Sequence, residues 1–442
     1  MKKNLTLKET ILISSMVFGM FFGAGNLIFP VYMGQVAGKN VFLASLGFLI
    51  TGVSLPLLAI AALGKSHSNS LYDLGLKVSK KFSIFFTCVL YLSIGPFFAI
   101  PRCATTSFTV GITPLIEGDS KIALFIFSLI FFLFAAYFSL KSNKIMIYIG
   151  KILNPIFLVT LFILLFISLI NPMADYSLIE ASGTYVSSAF LNGFYEGYNT
   201  MDALAGLAFG IVIVTVIRNL GIKDDNDVAN NTIKAGIFAC LLMGIIYIAL
   251  AYAGAMSPTT IGLCSNGGEV LSKLAQYYFG NFGAILLAII VTIACLKTVI
   301  GLIISCSETF TELFNNKISQ KSWTIIFIII SFLIANLGLN QIISISVPVL
   351  MFSYPIAIIL ILTALAKNLF NNNTLVYKAT VYTATIFACL ELIKSLPFDW
   401  KIITFVQNLV LLLPLGSYGL EWLIPSLIVF IISTIYIKAK RA

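Results

Sequence analysis

The residues best placed to do chemistry lie in one run, Phe18-Gly19-Met20-Phe21-Phe22-Gly23-Ala24-Gly25-Asn26-Leu27-Ile28-Phe29-Pro30. It sits in the middle of an apolar stretch extending from about residue 10 to residue 37. Each glycine costs roughly 1 kcal/mol against alanine inside a helix. In hydrocarbon, an opened backbone must find partners within the protein or in a watery cavity. A helix broken here exposes free carbonyls on one side and free N–H groups on the other. Carbonyls hold cations, and a helix N-terminus holds carboxylates. The two ends together suit a zwitterionic amino acid accompanied by a cation. The same glycines would also serve as packing contacts between membrane helices, and both readings stand at this point.

A second interruption of the same kind runs from Asn192 to Ala203 and contains Glu196, Gly197, Tyr198, Asn199, Thr200 and Asp202. A third feature is Ile94-Gly95-Pro96-Phe97-Phe98-Ala99-Ile100-Pro101-Arg102, where two prolines imply a kinked helix carrying an arginine at depth. Arg102 either snorkels to the interface or pairs with an acid, for which Glu196 is the candidate. Only Lys297 joins Arg102, Glu196 and Asp202 as an ionisable group deep in an apolar span. These four form no nucleophile–base pair and no metal cluster, which argues against an enzyme. The single histidine, His67, lies in an inner loop, and six of the seven cysteines lie in spans with Cys264 alone in an outer loop. That excludes a zinc site and a disulfide framework, and no cofactor is implied. A channel or a transport-like nutrient sensor is the remaining rival to a carrier.

The elements that must position these groups are membrane spans. Of the 442 residues, 59% are hydrophobic and 10% charged, a composition foreign to a soluble domain. Twelve spans are expected, at about 10–37, 40–64, 82–112, 121–140, 146–170, 188–217, 233–256, 282–307, 322–338, 343–366, 375–394 and 418–437. The first is too long for the core of a signal peptide and lacks a small-residue cleavage site. With both termini inside, 20 lysines and arginines fall on the cytoplasmic side and 5 outside, as the positive-inside rule requires. The net charge of +10 is then answered by the anionic inner leaflet, with the lipid bilayer and not nucleic acid as its partner. No motif specifies an oligomer. The interruptions fall in spans one and six, so a repeat of five crossings would enter the membrane from opposite sides. This gives an all-α membrane protein of five plus five inverted spans, about 10–170 and 188–366, with two further helices within 375–437. Broken helices at matching places in two inverted halves mark a transporter site. Outside the spans, residues 267–279 read as an external helix capped by Ser265 and Asn266, either a lid or a surface helix. The inner loop 218–234, with Asp224, Asp225 and Asp227, reads as a solvated turn.

The first-span motif, from Met16 to Pro30, resembles the opening signature of the bacterial branched-chain amino acid:cation symporter family, the BrnQ type. So do Gly95–Arg102, Glu196-Gly197-Tyr198 with Thr200-Met201-Asp202-Ala203, and Ala294-Cys295-Leu296, and the likeness covers nearly the whole chain. The resemblance implies a multi-pass carrier of leucine, isoleucine and valine in the bacterial plasma membrane. It implies a LeuT-like fold, and coupling to Na+ is usual in the family. By a weaker likeness to sodium-coupled neurotransmitter transporters, the substrate carboxylate would meet Gly23, Ala24, Gly25 and Asn26. The ammonium would meet carbonyls near Tyr195, Glu196, Gly197 and Tyr198. Tyr91, Phe97, Phe98, Phe194, Tyr195, Tyr198 and Leu204 are candidates to line the side-chain pocket.

The resemblance also locates a cation between Gly19, Phe22 and the span-eight positions Ala294, Lys297 and Thr298. Lys297 departs from it, for the family normally has a threonine there. Thr109, where an acid is expected in many members, departs too. An unpaired charge halfway along span eight costs several kcal/mol. Three outcomes relieve that cost: Lys297 snorkels, or a proton comes and goes at its amine, or its ammonium sits permanently in the cation's place. The last two make the coupling ion H+, or coupling mere exchange, with Na+ excluded from that position.

Overall fold

The computed structural model describes residues 3–66, 68, 70–116, 120–140, 158–395 and 401–440. His67 and the first part of the expected fifth span lie outside the described residues. Among the described residues every regular element is helical. Span one divides into α1 (Leu7–Phe21) and α2 (Ala24–Ala37). Span two is α3 (Val41–Leu49) and α4 (Leu55–Ser66), joined through a π turn at Ile50–Ser54. A short inner helix, α5 (Leu71–Leu76), precedes span three, which is α6 (Lys80–Leu92) and α7 (Ala99–Gly111). The expected kink falls between them, where Gly95 takes φ −102° and ψ −122° and Pro96 withdraws its N–H from the ladder.

The helices α8 (Ser120–Leu140) and α9 (Leu158–Ile170) follow. Span six divides into α10 (Tyr185–Tyr198) and α11 (Asp202–Asn219). The helix of span seven, α12 (Asp225–Ala255), begins well before residue 233 because Asp224 accepts the N–H groups of Asn226 and Asp227. The acidic run expected to be a solvated turn is therefore a helix cap and first turn, where negative charge meets the helix dipole. After the single turn α13 (Pro258–Ile261) comes α14 (Gly267–Leu313). Asn266 caps it by accepting the Glu269 N–H, while Glu269 accepts from Ser265, so the external helix expected at 267–279 starts as read. Gly280, at φ +61° and ψ −159°, ends it and begins span eight. The remaining helices are α15 (Gln320–Ala335), α16 (Leu339–Leu365), α17 (Thr374–Lys394), α18 (Lys401–Leu412) and α19 (Leu423–Ala439). Helix α18, amid unassigned sequence between spans eleven and twelve, was not anticipated.

Among the described residues, seven helical stretches are long and apolar enough to cross a membrane, and eight if the bent span six is included. One of them, Ala24–Ser66, is broken at Gly38, where φ is +47° and ψ −125°. Helices α15 and α19 coincide with expected spans but are shorter, and α9 covers the described part of the fifth. The broken spans are at the centre: α2 lies against α12, α3 against α10, α4 against α11 and α7 against α14. The crossing of α3 with α10 uses glycine on both sides. A Cβ at Gly47 would strike the Phe190 carbonyl, and one at Gly193 the Ala44 carbonyl. The packing reading of membrane glycines thus describes these residues, which fasten α10 of span six to α3 of span two.

Candidate functional site

Span one opens at Phe22 and Gly23, whose ψ values of 101° and −163° leave the helical region. The break was expected at Gly23 to Asn26. It comes earlier because Asn26 folds back: its Oδ1 accepts the Gly23 N–H at 2.8 Å and so belongs to the first turn of α2. Ala24, Gly25 and Asn26 therefore occupy the N-terminal turn, where N–H groups lack helical acceptors. Span six opens at Asn199 to Met201, and Met201 is in the left-handed region at φ +64°. This too differs from the expected break at Glu196 to Asn199. Gly197 stays helical, since a Cβ there would collide with Thr51 Oγ1 and lie 3.0 Å from the Gly52 nitrogen. Its small size serves a helix crossing and not an opening.

The two breaks meet in a buried polar group. Asn26 Nδ2 donates to Asp202 Oδ2 at 2.6 Å, Tyr247 Oη donates to the same oxygen at 2.8 Å, and Asn26 also bonds to Tyr247. Asn26, Asp202 and Tyr247 are each at most 2% exposed. Thr200 Oγ1 accepts the Asp202 N–H at 3.3 Å. Arg102 enters from α7, 3% exposed. Its Nη1 donates to the Asn199 carbonyl at 2.6 Å, and its guanidinium lies over the Phe29 ring, 4.9 Å from the centroid. A cation at the C-terminal end of α10 is favourably placed against that half-helix's dipole. The Arg102 Nε has no hydrogen-bond partner. Gly25 permits this approach, since a Cβ there would lie 2.7 Å from Nη2. Arg102 neither snorkels nor pairs with Glu196, which instead takes a hydrogen bond from the Asn199 side chain and faces Tyr32 and Tyr185.

A cavity of about 40 Å³ lies among these groups, lined by Gly23, Ala24, Gly25, Asn26, Arg102, Thr200, Met201, Asp202 and Thr298. Met20, Phe21, Ile94, Phe209 and Leu302 give it apolar walls. Of the span-six residues expected at the substrate, Tyr195, Glu196, Gly197 and Tyr198 all lie outside this lining. Tyr198 instead stacks on Tyr354 with centroids 3.8 Å apart, and the Tyr195 hydroxyl donates to the Tyr418 carbonyl. Thr200, Met201 and Asp202 take their place, a few residues along the same interruption. The other aromatic candidates, Tyr91, Phe97, Phe98 and Phe194, and Leu204 are likewise not in the lining. Tyr247 was missed, because a lone tyrosine in an apolar helix looks like packing.

Span eight does reach the opening of span one, as a Cβ at Gly23 would lie 3.4 Å from Thr298 Cγ2. Thr298 Oγ1 donates to the Ala294 carbonyl at 3.1 Å. Phe22 stacks on Phe18 and Tyr247, and Gly19 lies within α1. Lys297, half-buried on α14, is not among the cavity-lining residues.

A second, larger recess of about 610 Å³ lies between the end of α7 and the start of α14. Thr105, Thr109, Lys121, Asn266, Glu269, Lys273 and Asn340 help to line it. Thr105 is one turn along α7 from Arg102, so about 4.5 Å of helix separates the recess from the central group.

Residues 6–440 match the model of a family described as branched-chain amino acid transport protein. The chain is 49% identical to the branched-chain amino acid permease BrnQ of Lactobacillus delbrueckii subsp. lactis, covering 100% of both chains. Against BrnQ of Bacillus subtilis the identity is 43%, over 97% of this chain and 96% of the other. Among solved structures, the fold is similar to that of Mhp1, a nucleobase-cation-symport-1 family transporter, in a closed conformation with bromovinylhydantoin bound. The TM-score is 0.59 at 15% identity, with 98% of this chain and 93% of that one covered.

Proposed function

This chain belongs to the branched-chain amino acid transport protein family, and from that premise we propose a secondary carrier importing leucine, isoleucine and valine across the bacterial plasma membrane. It works by alternating access around the breaks in spans one and six, and it is a transporter and not an enzyme. The observation that carries this reading is that Arg102, close against Gly25 at the N-terminus of α2, and Asp202 line one cavity. The substrate carboxylate binds between the guanidinium and the N–H groups of Ala24 and Gly25. The ammonium faces Asp202 and the Thr200 hydroxyl, and the branched side chain lies toward Met20, Phe21, Ile94, Phe209 and Leu302. A pocket polar at the zwitterion and apolar at the side chain selects aliphatic amino acids.

Twelve spans in two inverted repeats of five, with both termini cytoplasmic, account for the positive-inside distribution and for the paired breaks. The coupling ion is H+, or transport is exchange, because Lys297 puts an amine at the position where the family resemblance implies a cation ligand. Sodium symport at the junction of Gly23 and Thr298 is the alternative, favoured by their proximity. Counterflow of labelled leucine in proteoliposomes tests the carrier reading. Accumulation driven by internal unlabelled leucine, and competed by isoleucine and valine, supports it. Leak without counterflow points to a channel. A charged or aromatic amino acid that outcompetes all three overturns the specificity.

A further inference from the structure

The outer ends of α17 and α19 enclose a second pair of acids that the central site does not use. Glu391 lies near the C-terminus of α17, and Glu421 lies in the turn just before α19. They are 7% and 0% exposed. The two carboxyls are within hydrogen-bonding reach of one another. Yet Glu391 Oε2 and both Glu421 oxygens lack a hydrogen bond. Among the described residues one cation faces them: Lys394 Nζ lies 2.6 Å from Glu391 Oε2, an ion pair without a directed hydrogen bond. Tyr195, on the outer half of span six, faces both acids and donates its hydroxyl hydrogen to the Tyr418 carbonyl. The turn closes over this group at Gly419 (φ +65°), where a Cβ would lie 2.8 Å from Tyr195 Oη and 3.8 Å from Glu391 Oε1. Among the described residues, no other cation is seen against the two acids. Helix α16 carries no charged residue, α18 only Lys401, and α19 only Lys438 at its far end.

Two carboxylates against one ammonium leave one uncompensated negative charge in a buried place, with like charges in contact. Neither is tolerable in a low-dielectric setting without a further cation. A single proton answers both problems, since it removes the excess charge and supplies the donor that the orphaned oxygens lack. We infer that Glu391 and Glu421 form a proton-binding site, one proton held between the two carboxyls, which latches the outer half of span six to the turn before α19 through Tyr195. Loss of that proton places two anions in contact. The turn carrying Glu421 then moves away, taking the Tyr418 carbonyl from Tyr195, and α10 loosens. The latch is closed at low external pH and released as pH rises.

The test needs no substrate, so its failure is distinct from failure of the transport reading. Purified protein in nanodiscs is titrated by difference infrared spectroscopy. Wild type is expected to show the carbonyl band of a buried carboxylic acid that disappears as pH rises. The band should be absent in Glu421→Gln and in Glu391→Gln. Each variant substitutes for the other if one fails to fold, and isotopic labelling of glutamate in wild type separates the band from that of Asp202 and the other aspartates. A spectrum unchanged by both substitutions overturns the site. So does loss of the band on adding sodium or potassium at constant pH, which would make the occupant a metal cation. For the latch, hydrogen exchange in residues 190–198, corrected for intrinsic rates, should be faster above the titration than below it. In Glu421→Gln, where the amide stands in for the protonated acid, that difference should vanish. Equal exchange across the titration in wild type overturns the latch.

Discussion

At the scale of single residues, the central site depends on how close Arg102 comes to Gly25. The planar guanidinium can keep one N–H on the Asn199 carbonyl while others face a substrate carboxylate, which an ammonium cannot match. Arg102→Lys should therefore weaken leucine binding at least tenfold, about 1.4 kcal/mol, measured with labelled leucine on purified protein. Gly25→Ala should have a similar effect with the arginine intact, because the added Cβ pushes on Nη2 at 2.7 Å. Binding unchanged in both would remove the carboxylate from this place. Lys297 calls for the opposite kind of experiment, a gain. Restoring threonine adds a hydroxyl oxygen to the shell between Gly23 and Thr298 and removes a positive charge. Lys297→Thr should make uptake sodium-stimulated, read in proteoliposomes with sodium and proton gradients imposed separately. Strict sodium dependence in wild type would sink the proton or exchange reading, and indifference of the variant would mean that Lys297 points away from the shell.

At the scale of elements, the breaks show what was legible and what was not. That spans one and six are interrupted follows from glycine and polar residues at mid-depth, and the structure bears it out. Where the chain opens does not follow, because a glycine has two uses and the neighbouring helix chooses between them. Gly197 and Gly193 go to the crossing with span two, so span six opens instead at Met201, a residue that carries no such signal. Asn26 likewise moves the first break by capping its own half-helix. The pocket aromatics were illegible for a related reason, since Tyr198 finds a stacking partner in Tyr354 that lies far away in sequence. The left-handed backbone of Met201 gives a direct test. Met201→Leu keeps volume and an unbranched Cβ, and should lower stability by less than about 1.5 kcal/mol. Met201→Ile has the same atoms but branches at Cβ, which the left-handed region resists. It should be less stable than the leucine variant by roughly 1–3 kcal/mol, seen as a lower Tm of the solubilised protein. Equal Tm values would mean that the strain is absent.

At the scale of the whole molecule, the two cavities differ in size and place. The central one, about 40 Å³, has little more than the room of a water molecule, while the outer recess of about 610 Å³ could take an amino acid. The centre is closed in this state, and the element poised over the recess is the helix that begins α14. Gly280 gives that helix a hinge separate from span eight. If it moves during each cycle, fixing it to span three should stop transport without touching the central site. Thr109 and Gly268 offer the attachment: a Cβ built at Gly268 lies 3.4 Å from the Thr109 Cβ, close to the roughly 3.5–4.5 Å that a disulfide needs. The doubly substituted Thr109→Cys, Gly268→Cys protein, made in a Cys389→Ser background to remove the one exposed native thiol, should lose uptake on oxidation and regain it with reductant. Thiol counting scores the bond. Each single substitution should be insensitive to oxidant. Full cross-linking with uptake intact would make the external helix a fixed part of the outer surface, and the moving gate would then be the outer half of span six.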